Sequence, residues 1–333
     1  MTAVSFTPAG PFSLAAAARF LEICTPAAYE HSPDGVLRLA FPGDDGESVI
    51  GCAVRQEETA GGPPATVHAE YTRYVDGRAV RPSSPGGTPA DDAAGRATDD
   101  AIGEAADEAV RAQIARILSL DIDGTGFAAL ADADPVVAGL QAEFPGLRPV
   151  LFHSPYEAAA WTVIGNRLRM DQGARLKARI AEEYGQAVEV AGRTLHAFPT
   201  PSALRRVDRF TGLPGLKAER LRAIADAALD DRLNARQLRS QPVEFSLTDL
   251  KELPGVGPYS AELILIRGVG HPDVFPVHEP RTHQAMAAAY GLDAATAADA
   301  ARLAAIAAAW RPYRSWVGLH LRSRAQERAA VCR

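Results

Sequence analysis

The spacing of apolar residues changes period once along the chain. Over residues 1–80, short apolar runs at Val36–Phe41, Ser48–Val54 and Ala65–Thr72 stand between Pro, Gly and Asp turns, with one helical stretch before them at Ser13–Ile23. This pattern predicts a small α+β domain on an antiparallel sheet. Residues 81–103 offer almost nothing to bury, as in Pro82-Ser-Ser-Pro-Gly-Gly-Thr-Pro89, and read as a flexible linker. Over residues 104–330 the apolar positions recur every three to four residues. The helices predicted are Glu104–Ser119, Pro155–Arg167, Gly173–Tyr184, Ala218–Asp230, Ser246–Glu252, Pro258–Arg267, Pro280–Tyr290, Ala294–Trp310 and Ser315–Gln326. The fold class expected is therefore α+β, a mostly all-α body carrying a small N-terminal antiparallel β-sheet domain.

Composition narrows the field. Three cysteines, Cys24, Cys52 and Cys332, are too few and too scattered for a disulfide framework or a Cys-ligated cluster. No apolar run is long enough to span a bilayer, so no membrane partner and a cytoplasmic, nucleoid-associated location are expected. Asp121-Ile-Asp-Gly-Thr-Gly126 has the look of a calcium loop, but its twelfth position is Asp132 rather than a bidentate Glu. The net charge of −6 speaks against nucleic acid until it is divided. Residues 1–150 hold ten arginines, no lysine and 22 carboxylates, a charge of −12, whereas residues 151–333 carry +6. A basic half joined to an acidic one keeps a polyanionic partner open.

The strongest local signal is Leu253-Pro-Gly-Val-Gly-Pro-Tyr-Ser-Ala-Glu-Leu-Ile-Leu-Ile266, a glycine hairpin between two helices. Gly255 and Gly257 allow positive φ and close backbone approach. Pro258 at a first helical position would leave free amides and a positive dipole end facing outward, a cradle for phosphate oxygens. Gly255, Val256, Gly257 and Ser260 are its expected backbone contacts.

The chain resembles the helix-hairpin-helix DNA glycosylase superfamily, and within it the bacterial inducible 3-methyladenine DNA glycosylases. Besides the hairpin, the resemblance rests on Ser154-Pro-Tyr-Glu…Ile164-Gly-Asn166, Phe198-Pro-Thr-Pro-Ser-Ala-Leu204, Gly212-Leu-Pro-Gly-Leu-Lys-Ala-Glu-Arg-Leu221 and Trp310-Arg-Pro-Tyr-Arg-Ser315, in the family's order across residues 105–325. It implies a base-excision enzyme that acts as a monomer on double-stranded DNA containing a damaged, alkylated base. It implies no cofactor, beyond a monovalent cation at the hairpin carbonyls.

Cleaving a purine's N-glycosidic bond develops positive charge on the sugar, which a nearby carboxylate opposes while the base is gripped outside the duplex. The resemblance places Glu279 at the position of the family's Asp, and a different gap would place His278 there. Glu279 also reads as the cap of the helix opened by Pro280. Members that cut the strand use a Lys at the seventh position of the hairpin string, here Tyr259, so no lyase chemistry of that kind is expected. Tyr259 would instead stack on the flipped base. Around it, Asn166 stands for Gln, Arg167 occupies the place of the duplex wedge, and Leu263 and Arg322 replace aromatics; arginines there do not favour a cationic purine. Basic residues that could reach phosphates are Arg167, Arg169, Lys177, Lys217, Arg267, Arg281, Arg314, Arg322 and Arg324, with Lys217, Arg281 and Arg314 foremost. Two further readings stay open: a damage-binding protein that kept the fold and lost activity, and an all-α scaffold for protein partners. The N-terminal domain, or at least its Asp-rich linker, is expected to stay off the phosphates, so that removing residues 1–100 does not abolish duplex binding if the remainder folds.

Overall fold

The computed structural model describes residues 1–24, 34–57, 66–80 and 93–331. The alternating run near the N-terminus forms the antiparallel sheet expected. β2 (Leu37–Pro42), β3 (Val49–Gln56) and β4 (Val67–Val75) lie side by side, and β1 (Thr2–Phe6) pairs with the far edge of β4 in the order β1-β4-β3-β2; β5 (Arg78–Ala79) also pairs with β4. β2 and the first half of β4 alternate buried and more exposed positions, whereas β3 is buried over Val49–Val54. The reason is that β3 is covered twice. Ile50, Cys52 and Val54 enter a core with α1 (Leu14–Cys24) and α2 (Ala93–Ile117), while Val49 and Ala53 pack against Val188 and Val190.

Those two valines correct one expectation. The helical body is not all-α: β6 (Ala187–Val190) and β7 (Arg193–His196) form a hairpin whose turn, Ala191-Gly192, has positive φ at both positions. The strands are only four residues long, and their alternation is too brief to stand out among helices. A second correction concerns the linker. Residues 93–103 are the first turns of α2. Residues 81–92 lie outside the described residues.

The remaining helices are α3 (Thr125–Ala133), α4 (Pro135–Glu143), α5 (Pro155–Gly165), α6 (Met170–Tyr184), α7 (Pro201–Arg205), α8 (Gly215–Leu229), α9 (Ala235–Ser240), α10 (Val243–Lys251), α11 (Pro258–Leu263), α12 (Pro280–Tyr290), α13 (Ala294–Ala298), α14 (Ala300–Ala307) and α15 (Arg314–Val331). One core gathers α5, α6, α8 and the hairpin; another gathers α3, α4, α12, α14 and α15. The sheet core includes Leu319 of α15, so the N-terminal unit shares its interior with the helical body.

Buried ionic groups join the parts. Arg148, fully buried, donates to the carbonyls of Ala9, Gly10, Pro11, Ser119 and Ile122. Arg116 ties Asp44 of the sheet domain to the carbonyls of His153 and Gly268. Glu157 of α5 is buried between Lys177 of α6 at 2.7 Å and His153 Nδ1 at 2.8 Å. Asp121 pairs with Arg239, and Asp123 caps Thr125, so both candidate calcium carboxylates are engaged. No helix among the described residues is long and apolar enough to cross a membrane.

Candidate active site

The hairpin folds as its sequence requires. Leu253 and Val256 are buried and anchor it, and the Val256 amide donates to the Leu253 carbonyl at 3.0 Å. Gly255 has φ +91°, and a Cβ there would lie 2.7 Å from Cδ of Arg220, so the position excludes a side chain twice over. Gly257 caps α11 and Pro258 opens it. After Leu263 the helix widens into a π turn, Ile264–Gly268, held at its end by Arg116 on the Gly268 carbonyl and by the Phe152 amide on the Arg267 carbonyl. Such turns recur at functional sites because they re-aim side chains. Arg267, within this one, lines a cavity.

That cavity, about 140 Å³, unites residues far apart in the chain. Tyr259 and Leu263 come from α11, Glu279 and Thr282 from the start of α12, Arg322 from α15, Trp161 and Met170 from α5 and α6, and Phe20 from α1. Gly173 makes room for the tryptophan: a Cβ there would meet its ring at 2.9 Å. The Arg267 guanidinium lies over the rings of Phe20 at 5.0 Å and Phe152 at 5.8 Å.

Glu279 caps α12, accepting the Arg281 amide at 3.2 Å, where the helix dipole favours negative charge. Its side chain is 18% exposed. The Tyr259 hydroxyl donates to Oε2 at 3.4 Å, and Nη1 of Arg322 lies 3.9 Å from Oε1. Burial, and then the charge of Glu279, raise the Tyr259 phenol above its ordinary pKa. The cluster thus presents a carboxylate, an aromatic face and two guanidiniums to one small cavity. His278 turns elsewhere: its ring bonds Glu262 at 2.7 Å and does not line the cavity.

Other expected residues are placed differently. Asn166 and Arg167 are exposed on the turn between α5 and α6, next to exposed Leu168 and Met170, and do not line the cavity. Lys217 caps the end of α5, donating to the carbonyls of Ile164 and Asn166 at 2.8 Å each, and burial, then Arg220, lower its pKa. Arg314 is held by Asp273 at 2.6 Å and is mostly buried. Lys177 is buried on Glu157, and Arg324 pairs with Glu143 at 2.7 Å. Arg167, Arg169 and Arg281 remain exposed. A count of cations cannot tell which ones the fold itself satisfies.

Sequence reasoning missed Phe20, Phe152, Met170 and Glu262, and it read Arg267 as a phosphate contact. Glu262 had a visible signal, a lone carboxylate in the apolar run Ser260–Ile266. At the hairpin, the Leu253 and Gly257 carbonyls accept the amides of Val256 and Ala261.

No family model matches the chain. It is 29% identical over 218 residues to a probable bifunctional transcriptional activator/DNA repair enzyme AlkA of Mycobacterium tuberculosis, an alignment covering 63% of this chain and 41% of that protein. It is 28% identical over 186 residues to DNA-3-methyladenine glycosylase 2 of Escherichia coli, covering 55% of this chain and 62% of that one. The chain therefore aligns with only about half the length of these relatives. In structure it is similar to a 3-methyladenine DNA-glycosylase from Archaeoglobus fulgidus, with a TM-score of 0.69 at 21% identity over 97% of both chains. The chain has the fold of the helix-hairpin-helix DNA glycosylase superfamily and is a sequence relative of its 3-methyladenine DNA glycosylases.

Proposed function

We propose that the chain is a monofunctional DNA glycosylase that hydrolyses the N-glycosidic bond of a damaged, alkylated purine rotated out of duplex DNA. The observation that carries this reading is Glu279, a capping carboxylate in the wall of the one cavity that also holds Tyr259, Leu263 and Arg322. As the base leaves, positive charge grows on the sugar, and Glu279 opposes it from a fixed position. Tyr259 offers its ring to the extruded base. The hairpin 255–260 holds the strand through backbone amides, assisted by the exposed Arg281, Arg167 and Arg169. A monovalent cation on the Leu253 and Gly257 carbonyls would add positive charge beside a phosphate. With Tyr259 where a lyase needs an amine, the abasic product is left uncut.

The test incubates the protein with duplexes carrying single alkylated purines, reads released base by mass, and cleaves abasic sites with alkali. Base release by the wild type and its loss in Glu279→Gln are expected, and equal yields would remove Glu279 from the mechanism. Borohydride should trap no covalent adduct with DNA. One observation favours a second reading, a non-catalytic damage-binding protein: the Arg322 guanidinium stands close enough to Glu279 to compensate its charge. That reading predicts salt-dependent duplex binding with no base released from any lesion.

A further inference from the structure

Glu262 is a buried carboxylate inside an apolar helix, a placement that is costly unless the charge is fully satisfied. It is satisfied by one short stretch of chain. Oε1 accepts the Val277 amide at 3.1 Å and Nδ1 of His278 at 2.7 Å, and Oε2 accepts the His278 amide at 2.9 Å. These donors belong to the two residues immediately before Glu279. The same stretch is fixed from its other side, where the Pro276 carbonyl accepts from Nε2 of His283 at 2.9 Å. Tyr259, three residues before Glu262 and so on the same face of α11, reaches Glu279 directly. One helix thereby sets both the aromatic side chain and the loop that carries the carboxylate.

An apolar residue at 262 could not hold two adjacent amides and an imidazole. Charge-assisted bonds of this kind are stronger and shorter than neutral ones. We propose that Glu262 is a positioning residue: it clamps Val277 and His278 and so aims Glu279 into the cavity. This rests on the reading that Glu279 acts in base release, for which a misplacement of about 1 Å can cost on the order of 100-fold in rate.

The test compares full-length wild type, Glu262→Gln and His278→Ala. Gln keeps the size of Glu but turns an amide nitrogen toward the His278 N–H. Three quantities are read: the single-turnover rate of base release, the Kd for a duplex containing a tetrahydrofuran abasic analogue, and hydrogen exchange at the Val277 and His278 amides. Glu262→Gln should lower the rate at least tenfold, leave Kd within threefold, and speed exchange at both amides. His278→Ala, which keeps both amide bonds, should lower the rate less. A rate for Glu262→Gln within twofold of wild type overturns the proposal while leaving the glycosylase reading intact. If the wild type releases no base, that reading fails, and unchanged exchange in Glu262→Gln then overturns the clamp as well. Should Glu262→Gln not fold, rapid exchange of the two amides in wild type, or a larger rate loss in His278→Ala than in Glu279→Gln, overturns it.

Discussion

Nη1 of Arg322 stands 3.9 Å from Oε1 of Glu279, so the candidate catalytic carboxylate shares its cavity wall with a guanidinium. A second guanidinium, that of Arg267, covers the faces of Phe20 and Phe152. A cationic purine entering here meets both guanidiniums, and Arg322 offsets the attraction that Glu279 would otherwise exert on it. The wild type should therefore release a neutral alkylpurine such as ethenoadenine at least about tenfold faster than the cationic 7-methylguanine. Arg322→Leu should narrow that ratio. The measurement is single-turnover release from matched duplexes, and a wild-type preference for the cation would contradict the assignment.

Tyr259 separates stacking from hydrogen bonding. Its hydroxyl contact with Glu279 is long at 3.4 Å, and the side chain is 44% exposed. Tyr259→Phe should keep base release within about threefold, whereas Tyr259→Ala should lose the stacking contribution of about 1 to 3 kcal/mol per base. Gel-shift titration against a duplex carrying a cleavage-resistant 2′-fluoro alkylpurine nucleotide and single-turnover assays measure the two.

Acid should weaken the fold through His320. The ring is fully buried, T-stacked on Phe127 and Phe144, and bonded through Nε2 to the Leu147 carbonyl at 3.0 Å. Burial pushes its pKa down to about 4. The unfolded chain protonates this group near pH 6.5 and the folded chain does not, so stability declines as pH falls from about 6.5 to 4, by up to about 3 kcal/mol. His320→Gln should flatten that part of a plot of Tm against pH.

The Glu157 ion pair fails at lower pH and on mutation. Burial raises the carboxyl's pKa, but His153 and Lys177 together outweigh it, and the net result is well below the usual carboxylate range. Its contribution is thus present above about pH 4.3 and lost as pH falls below that value. Lys177→Met leaves Glu157 without its closest cation and should cost about 3 to 5 kcal/mol in denaturant unfolding.

Much of this arrangement was legible from sequence because its signals are local. The hairpin string, the capping Glu279-Pro280 pair and the strand alternation each need only a few neighbouring residues, and Tyr259, Leu263, Glu279 and Arg322 do meet in one cavity. What stayed hidden depends on long-range contact. Nothing near Phe20 in the chain announces that α1 reaches the cavity, and nothing near Arg314 or Lys217 reveals that Asp273 or the end of α5 will take up its charge. The same limit bears on whether the remainder folds once residues 1–100 are removed. Removing residues 1–100 takes away Phe20, three of the five carbonyls on Arg148 and a face of the shared core, so such a truncation should aggregate or unfold, as size-exclusion chromatography and circular dichroism would show.

The Arg116 tie between the two halves bears on how the molecule meets a charged rod. Because Arg116 gathers Asp44 with the carbonyls of His153 and Gly268, and Leu319 enters the sheet core, the acid-rich half is anchored to the basic half. On the proposed reading, carboxylates held in this way repel a duplex that approaches them, an orienting effect that added salt should erase along with affinity.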